Sequence, residues 1–553
     1  RHLEDYFVVA RQAPTLLIVG TLVASYLSTQ TFLTETAYAY RINGGGWILF
    51  PSLTLIGYVI GAVYFNRYLR RSQTLTVTQY FARRFNSRRV QVIAGLTVIF
   101  GIGGYLVAVT QGAAVMLDNL TPLNYTTGLV VAWIAYTSFT MYSGSKGVVI
   151  TDTLMFLLFT FVSFLGVYAI LQYFGGWNSV LEQLLQSERT AALMSWHGNV
   201  DGPEYEWASA TDYLWWLIII SLAWGFVTAI SPWQSSRFLM AKSEHVVFRS
   251  ACIAAIAVTL IQIALYMAAV SVNIVAPDIQ PREEVMIWAS MELVSPWIGA
   301  LILAGIVAAA LSSATTFLSL VGFTVSNDIV RFGDKDERAS LKLSRQMMLL
   351  VGALALVICF FIDQEIFWIT YFAGTLFAAA WGPVAFMSVW SDRITEPAAF
   401  WGITTGFFGV VIPTALETFG PVVWPPYLHP IIIGSVLSLA TVLVVSRYTS
   451  VSEGERSYRL SLLETPASEI GDREARRTER YALAFGVFGV AMTALAMIVY
   501  VVPYQAIVGP VADGGGFDWF SGEALHAYGW ALVFVPAGWL MYREARKSYR
   551  RQH

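Results

Sequence analysis

Four hydroxyls fall within five residues in Ala308-Ala309-Ala310-Leu311-Ser312-Ser313-Ala314-Thr315-Thr316, near the middle of a long apolar run. Read as a helix, positions 309, 312, 313 and 316 share a face. Hydroxyl oxygens are hard, neutral ligands suited to Na+, as carbonyl oxygens are, and the Ala run lets a neighbouring backbone come close. The same side chains can instead bond back to their own i−4 carbonyls and simply pack. A second candidate is Asp152, in Val148-Val149-Ile150-Thr151-Asp152-Thr153. A carboxylate in an apolar run is costly unless it is paired, protonated or bound to a cation. Its alternative is a hydrated position at a membrane edge, shortly after Lys146. The third is Leu22–Thr31, where an apolar helix changes midway into Ser, Thr and Gln. A discontinuous helix reads this way, its freed carbonyls open to a cation and its N–H groups to a substrate. So does a continuous helix packed through small residues, and neither Gly nor Pro marks a break.

The elements that must position these residues follow from composition. The 553 residues are 56% apolar and 13% charged, with a mean hydropathy of +0.59. That excludes an ordinary cytosolic enzyme, a nucleic-acid binder and a disordered scaffold. The net charge of −2 implies no polyanionic partner. Cys252 and Cys359 lie in apolar runs without a CxxC, so metal staples and redox chemistry drop out.

A helix needs about 20 apolar residues to cross the hydrocarbon core. Fourteen runs qualify: 13–36, 47–66, 90–117, 124–144, 148–174, 212–234, 248–276, 297–327, 343–362, 366–390, 398–416, 428–446, 481–503 and 526–542. With the N-terminus in the cytoplasm, alternation puts every Lys and Arg except Arg41, Arg189 and Arg282 on the cytoplasmic side. Both ends are then cytoplasmic. The stretch 449–480 reads as an amphipathic or mobile linker before the last two spans. Trp47, Trp177, Trp215, Trp216 and Trp424 sit near outer edges and read as interfacial anchors.

Taken together and in this order, the three candidate places resemble the solute:sodium symporter family of sodium-coupled sugar, proline, sialic acid, pantothenate and monocarboxylate carriers. The most specific likeness is Ala309-Ala310-Leu311-Ser312-Ser313 followed by Val325-Ser326-Asn327-Asp328-Ile329, with Val330 where Tyr is usual. Thr151-Asp152-Thr153 resembles the family's Trp-Thr-Asp motif, with Ile150 in place of Trp and Met155 or Phe156 near the family's Gln. Trp233-Gln234-Ser235-Ser236-Arg237-Phe238-Leu239-Met240-Ala241-Lys242 is similar to its Gln-Arg-x-Leu-Ala-x-Lys turn, with Ser236 for Gln. Leu3-Glu4-Asp5-Tyr6-Phe7-Val8-Val9-Ala10-Arg11 resembles the loop after the family's leading helix.

The likeness covers about residues 3–450. It implies an all-α polytopic membrane protein with a LeuT-type five-plus-five inverted-repeat core and additional C-terminal helices. On that plan residues 1–12 are a cytoplasmic segment after a leading helix. Residues 13–390 form the ten-helix core, with repeats 13–174 and 212–390. Helices 11 and 12 occupy 391–448, the cytoplasmic linker 449–480, and two extra helices with a basic tail 481–553.

The resemblance further implies a Na+ site of the Ala24, Leu27 and Ala309 carbonyls with the Ser312 and Ser313 hydroxyls. A second Na+ site in some members would correspond to Asp152, Thr315 and Thr316, with Ser312 shared. The expected function is sodium-coupled import of a small organic solute by alternating access, without enzymatic chemistry. Gln30, Thr31 and Gln111 are expected to hydrogen-bond the solute, with Trp224 and Phe372 as walls. Monocarboxylate, amino acid, sugar and vitamin all remain open. A membrane sensor with weak or no coupled flux is the alternative from another class. The expected partners are the lipid bilayer and, for the last two helices, a protein. The expected location is a bacterial inner membrane.

Overall fold

The computed structural model describes residues 8–202, 205–330, 337–362 and 366–551. Leu3–Phe7 of the N-terminal motif and most of the expected 1–12 segment lie outside the described residues, as do Arg331 and Lys335 of one basic cluster and the Trp47 side chain.

Apolar length decides the architecture. The helices are α1 (Thr15–Tyr26 and Gln30–Arg41), α2 (Leu49–Arg71), α3 (Arg88–Leu120), α4 (125–143), α5 (Lys146–Tyr173), α6 (Ala210–Leu239) and α7 (Glu244–Ile274). They continue as α8 (Pro296–Ile329), α9 (Ala339–Cys359), α10 (Trp368–Trp390), α11 (Glu396–Phe419), α12 (Pro426–Tyr448), α13 (Asp472–Val508) and α14 (Gly522–Tyr549). Among the described residues, twelve are long and apolar enough to cross a membrane, and α1 is a thirteenth if its halves, bent by 51°, count as one span. The remaining expected span, 124–144, is helical but carries five Thr and Ser residues between Thr126 and Thr140. It parts from α5 at Gly144 (φ 63°, ψ −172°), a left-handed position that suits glycine. Outside the helices, a two-residue strand pair, Asp201–Gly202 with Tyr205–Glu206, lies in the connection between α5 and α6.

Around the inner half of α1 stand α5, α7 and α8. At Gly20 an added Cβ would meet Thr153 atoms at 2.5–2.8 Å, so α1 and α5 touch almost backbone to backbone. α8 runs along α3 and α5, α6 along α2 and α10, and α10 along α3. The C-terminal end of α8 is tied down by Asp328. Its carboxylate accepts from Gln91 Nε2 at 2.8 Å, from Thr76 Oγ1 at 3.1 Å and from Thr78 Oγ1.

Two expectations change here. The 449–480 stretch is docked: helix Glu453–Leu463 opens on a Ser452/Glu455 capping box. Arg459 Nε donates to the Val389 carbonyl at 2.8 Å, and Arg71 Nη1 to that of Leu462 at 2.7 Å. α13 and α14 form a hairpin against α2 and α7, held by a buried Arg67–Glu544 pair at 3.2 Å. Trp216 is not an anchor either. It is buried and stacks on Tyr38 with ring centroids 5.7 Å apart, whereas its neighbour Trp215 is exposed. Trp177 and Trp424 donate their indole N–H groups to the Val499 and Pro413 carbonyls.

Candidate ion and solute site

The break in α1 is made by a serine. The inner half ends at Tyr26, and at Leu27 (φ −76°, ψ 89°) the backbone leaves helical space. Ser28 Oγ then accepts from Gln30 N at 3.1 Å, and the Ser28 carbonyl from Thr31 N at 3.1 Å. A short hydroxyl side chain thus satisfies the N–H groups that a helix start exposes. Across the seam on α8, Ser313 Oγ donates to the Ala24 carbonyl at 3.4 Å. Ala24, Leu27, Ala309, Ser312 and Ser313 are all buried. The Ala24 carbonyl and the Ser313 hydroxyl therefore meet beside the Leu27 break, a set of neutral oxygens of the kind that suits Na+.

One turn further in, Asp152 from α5 meets the same helices. Thr21 Oγ1 donates to Oδ2 at 2.6 Å and Ser312 Oγ to Oδ1 at 2.6 Å. Thr316 Oγ1 accepts from Arg237 Nη2 at 2.7 Å. Thr315 turns its hydroxyl back to the Ser312 carbonyl at 2.9 Å. Arg237 does not sit in a cytoplasmic loop, as charge counting suggests. It is buried, because Ser231 (ψ 148°) breaks α6 and Pro232–Leu239 continues beneath the core.

On the outer side of the break lies a narrow cavity of about 10 Å3, room for about one water, lined by Gln30, Glu35, Phe50, Trp216, Trp224 and Tyr371 among others. Gln30 Oε1 also accepts from the Tyr105 hydroxyl. Thr31 is fully buried one helical turn before Glu35. Gln111 stands apart from this wall: its Nε2 donates to the Ile362 carbonyl at 3.2 Å. On α10 the lining residue is Tyr371, and the adjacent Phe372 is half-buried outside the lining.

The family model for sodium:solute symporters matches residues 6–406. The chain belongs to that family. The symporter is 23% identical over 463 residues to the sodium/pantothenate symporter of Escherichia coli K12, covering 82% of this chain and 92% of the relative. It is 26% identical over 416 residues to the sodium/proline symporter of Salmonella typhimurium, covering 72% and 76%. Among solved structures it is similar to a Na+-coupled sialic acid symporter in a substrate-bound outward-open state. That likeness has a TM-score of 0.67 at 16% identity, over 82% of this chain and 94% of the other. Mhp1, a nucleobase-cation-symport-1 family transporter in a closed conformation with bromovinylhydantoin bound, aligns with a TM-score of 0.53 at 12% identity, over 82% and 98%. These neighbours place the symporter in the LeuT-type fold.

Sequence reasoning passed over Thr21, Arg237, Glu35 and Tyr371. For Glu35 a signal was present, since it is an acid inside the run 13–36. For Arg237 the signal was Pro232 directly after Ser231, which ends a helix and redirects the chain.

Proposed function

We propose that this multi-pass membrane protein imports a small organic solute together with Na+ by alternating access. The observation that carries the reading is the broken α1, with its Ala24 carbonyl facing Ser313 on α8 across a buried seam. Na+ held there ties the inner half of α1 to α8 and so favours one arrangement of the two helices. An ion that favours one state shifts the equilibrium; equal affinity for both states would shift nothing. The solute binds at the outer side of the same break, so both ligands bias one mobile element. Relatives named for pantothenate, proline and sialic acid support a small organic solute, and bacterial relatives support the inner membrane.

A second Na+ is held by Asp152, Ser312 and Thr316, with Thr315 turning in as a further ligand and Arg237 competing for the Thr316 oxygen. The support is the convergence of the Asp152 carboxylate with the α8 hydroxyls. The test is charge movement in reconstituted vesicles on a solid-supported membrane during jumps of a mixed-solute solution. Currents that appear in Na+ and vanish in K+ support the reading. Solute binding without current in either salt would make the protein a sensor instead.

A further inference from the structure

The outer half of α1 holds a carboxylate that the ion sites do not use. Glu35 is 2% exposed, and its Oε2 accepts from Gln262 Nε2 at 2.9 Å and from the Tyr266 hydroxyl, both on α7. Both donors are neutral. Among the described residues, no Lys, Arg or His forms an ion pair with Glu35. Asp152 has Arg237 bonded to a neighbouring hydroxyl, and Glu544 has Arg67; Glu35 has no such cation. A buried anion without a counter-ion is expensive. In a membrane span that cost is met by a proton on the carboxyl or by a positive charge that arrives from elsewhere.

The surroundings say what kind of charge. Glu35 lines the cavity at the α1 break together with the rings of Phe50, Trp216, Trp224 and Tyr371. Tyr371 lies nearly parallel to Trp216, with centroids 6.4 Å apart and planes 7° from each other. Trp224 meets Tyr26 edge to face at 6.4 Å. Aromatic faces carry negative potential and attract ammonium groups, most strongly when water is excluded. The Gln262 Oε1 acceptor, beside Glu35, is buried without a hydrogen-bond partner. Carboxylate and ring faces both favour a cation. In this conformation the cavity measures about 10 Å3, room for about one water, so a solute group enters it only as the walls part.

We infer that the transported solute carries a positively charged nitrogen, a protonated amine or quaternary ammonium, seated among Trp216, Trp224 and Tyr371 with Glu35 as counter-ion. The inference rests on the symport reading and narrows its substrate class to cations and zwitterions.

The test uses the full-length purified protein and its thermal stability in NaCl or KCl. The probes are tetramethylammonium, choline, glycine betaine, L-proline and a series of protonated alkylamines, with D-glucose as a neutral probe and pyruvate and pantothenate as anionic probes. At least one cationic or zwitterionic probe is expected to stabilise the protein in Na+. Glu35→Gln is expected to weaken that response about tenfold to a hundredfold, leaving the shift by Na+ alone intact. Trp224→Phe serves as a second variant if Glu35→Gln folds poorly, and is expected to weaken the cationic probes selectively. Stabilisation by glucose or an anion alone, or by no cationic or zwitterionic probe, overturns the inference. So does a Glu35→Gln protein that binds every probe normally and loses only the pH dependence of transport, which would make Glu35 a proton site. Loss of the Na+-only shift in the wild type would instead overturn the symport reading.

Discussion

Replacing Ser313 by Ala removes one oxygen from the α1–α8 seam and little else. The Ser313 hydroxyl reaches the Ala24 carbonyl at 3.4 Å, a long contact whose loss costs the fold under about 1 kcal/mol. As a ligand to an ion the same oxygen is worth about 1.5–3 kcal/mol, so Na+ affinity should fall about 10- to 150-fold. The assay is a melting series across NaCl at constant ionic strength, balanced with KCl. With Na+ at about 100 times its dissociation constant, the wild type gains about 2.7 kcal/mol. A thirtyfold weaker site leaves about 0.9 kcal/mol at the same concentration. In KCl alone the two proteins should melt together. If the NaCl curves of wild type and S313A superimpose, the ion does not sit at this seam and the reasoning fails.

Asp152→Asn keeps size and an acceptor oxygen but removes the charge. The Na+ Hill coefficient of the currents and the charge carried per solute should both fall; unchanged values would rule out an ion there. Gly20→Ala would put a Cβ 2.7 Å from the Thr153 Cα, where backbone must yield. A loss of about 1–3 kcal/mol is expected, read as a lower melting temperature. Glu544→Ala leaves the buried Arg67 guanidinium without its carboxylate. About 3–5 kcal/mol should be lost, with the α13–α14 hairpin becoming sensitive to protease. Glu469, in the docked 449–480 stretch, has its carboxyl raised above the ordinary 4.5 by burial first and the nearby Glu244 second. A raised acid contributes stability below its unfolded value and loses it as pH climbs through the folded one. Glu469→Gln should therefore match the wild type at pH 4 and be the more stable protein at pH 8, as melting curves at the two pH values will show.

Length and apolar runs made the spans legible, because membrane thickness fixes how long a helix must be. The one run that differs, α4, differs through its polar residues. Ser312, Ser313 and Asp152 stood out because polar groups inside such runs are rare. What escaped is what depends on long-range packing. The α1 break is capped by Ser28, a residue equally at home in an unbroken helix. Arg237 looked like a loop charge until the chain turned at Ser231 and carried it under the core. Glu35 meets Gln262 and Tyr266 across more than two hundred residues of sequence, which periodicity does not encode. The docked linker likewise rests on Arg71 and Arg459 reaching backbone carbonyls far along the chain.

The central claim is that ion and solute cross together. Proteoliposomes holding the purified protein, clamped at a negative interior potential, can be given external sodium-22 with and without the amines, amino acids, sugars and carboxylates of a small-solute panel. The account predicts that one solute class accelerates sodium-22 entry, that the same solute accumulates inside, and that replacing Na+ with K+ outside abolishes its accumulation. Solute accumulation that proceeds equally in K+, or sodium-22 entry that no solute changes, would contradict it.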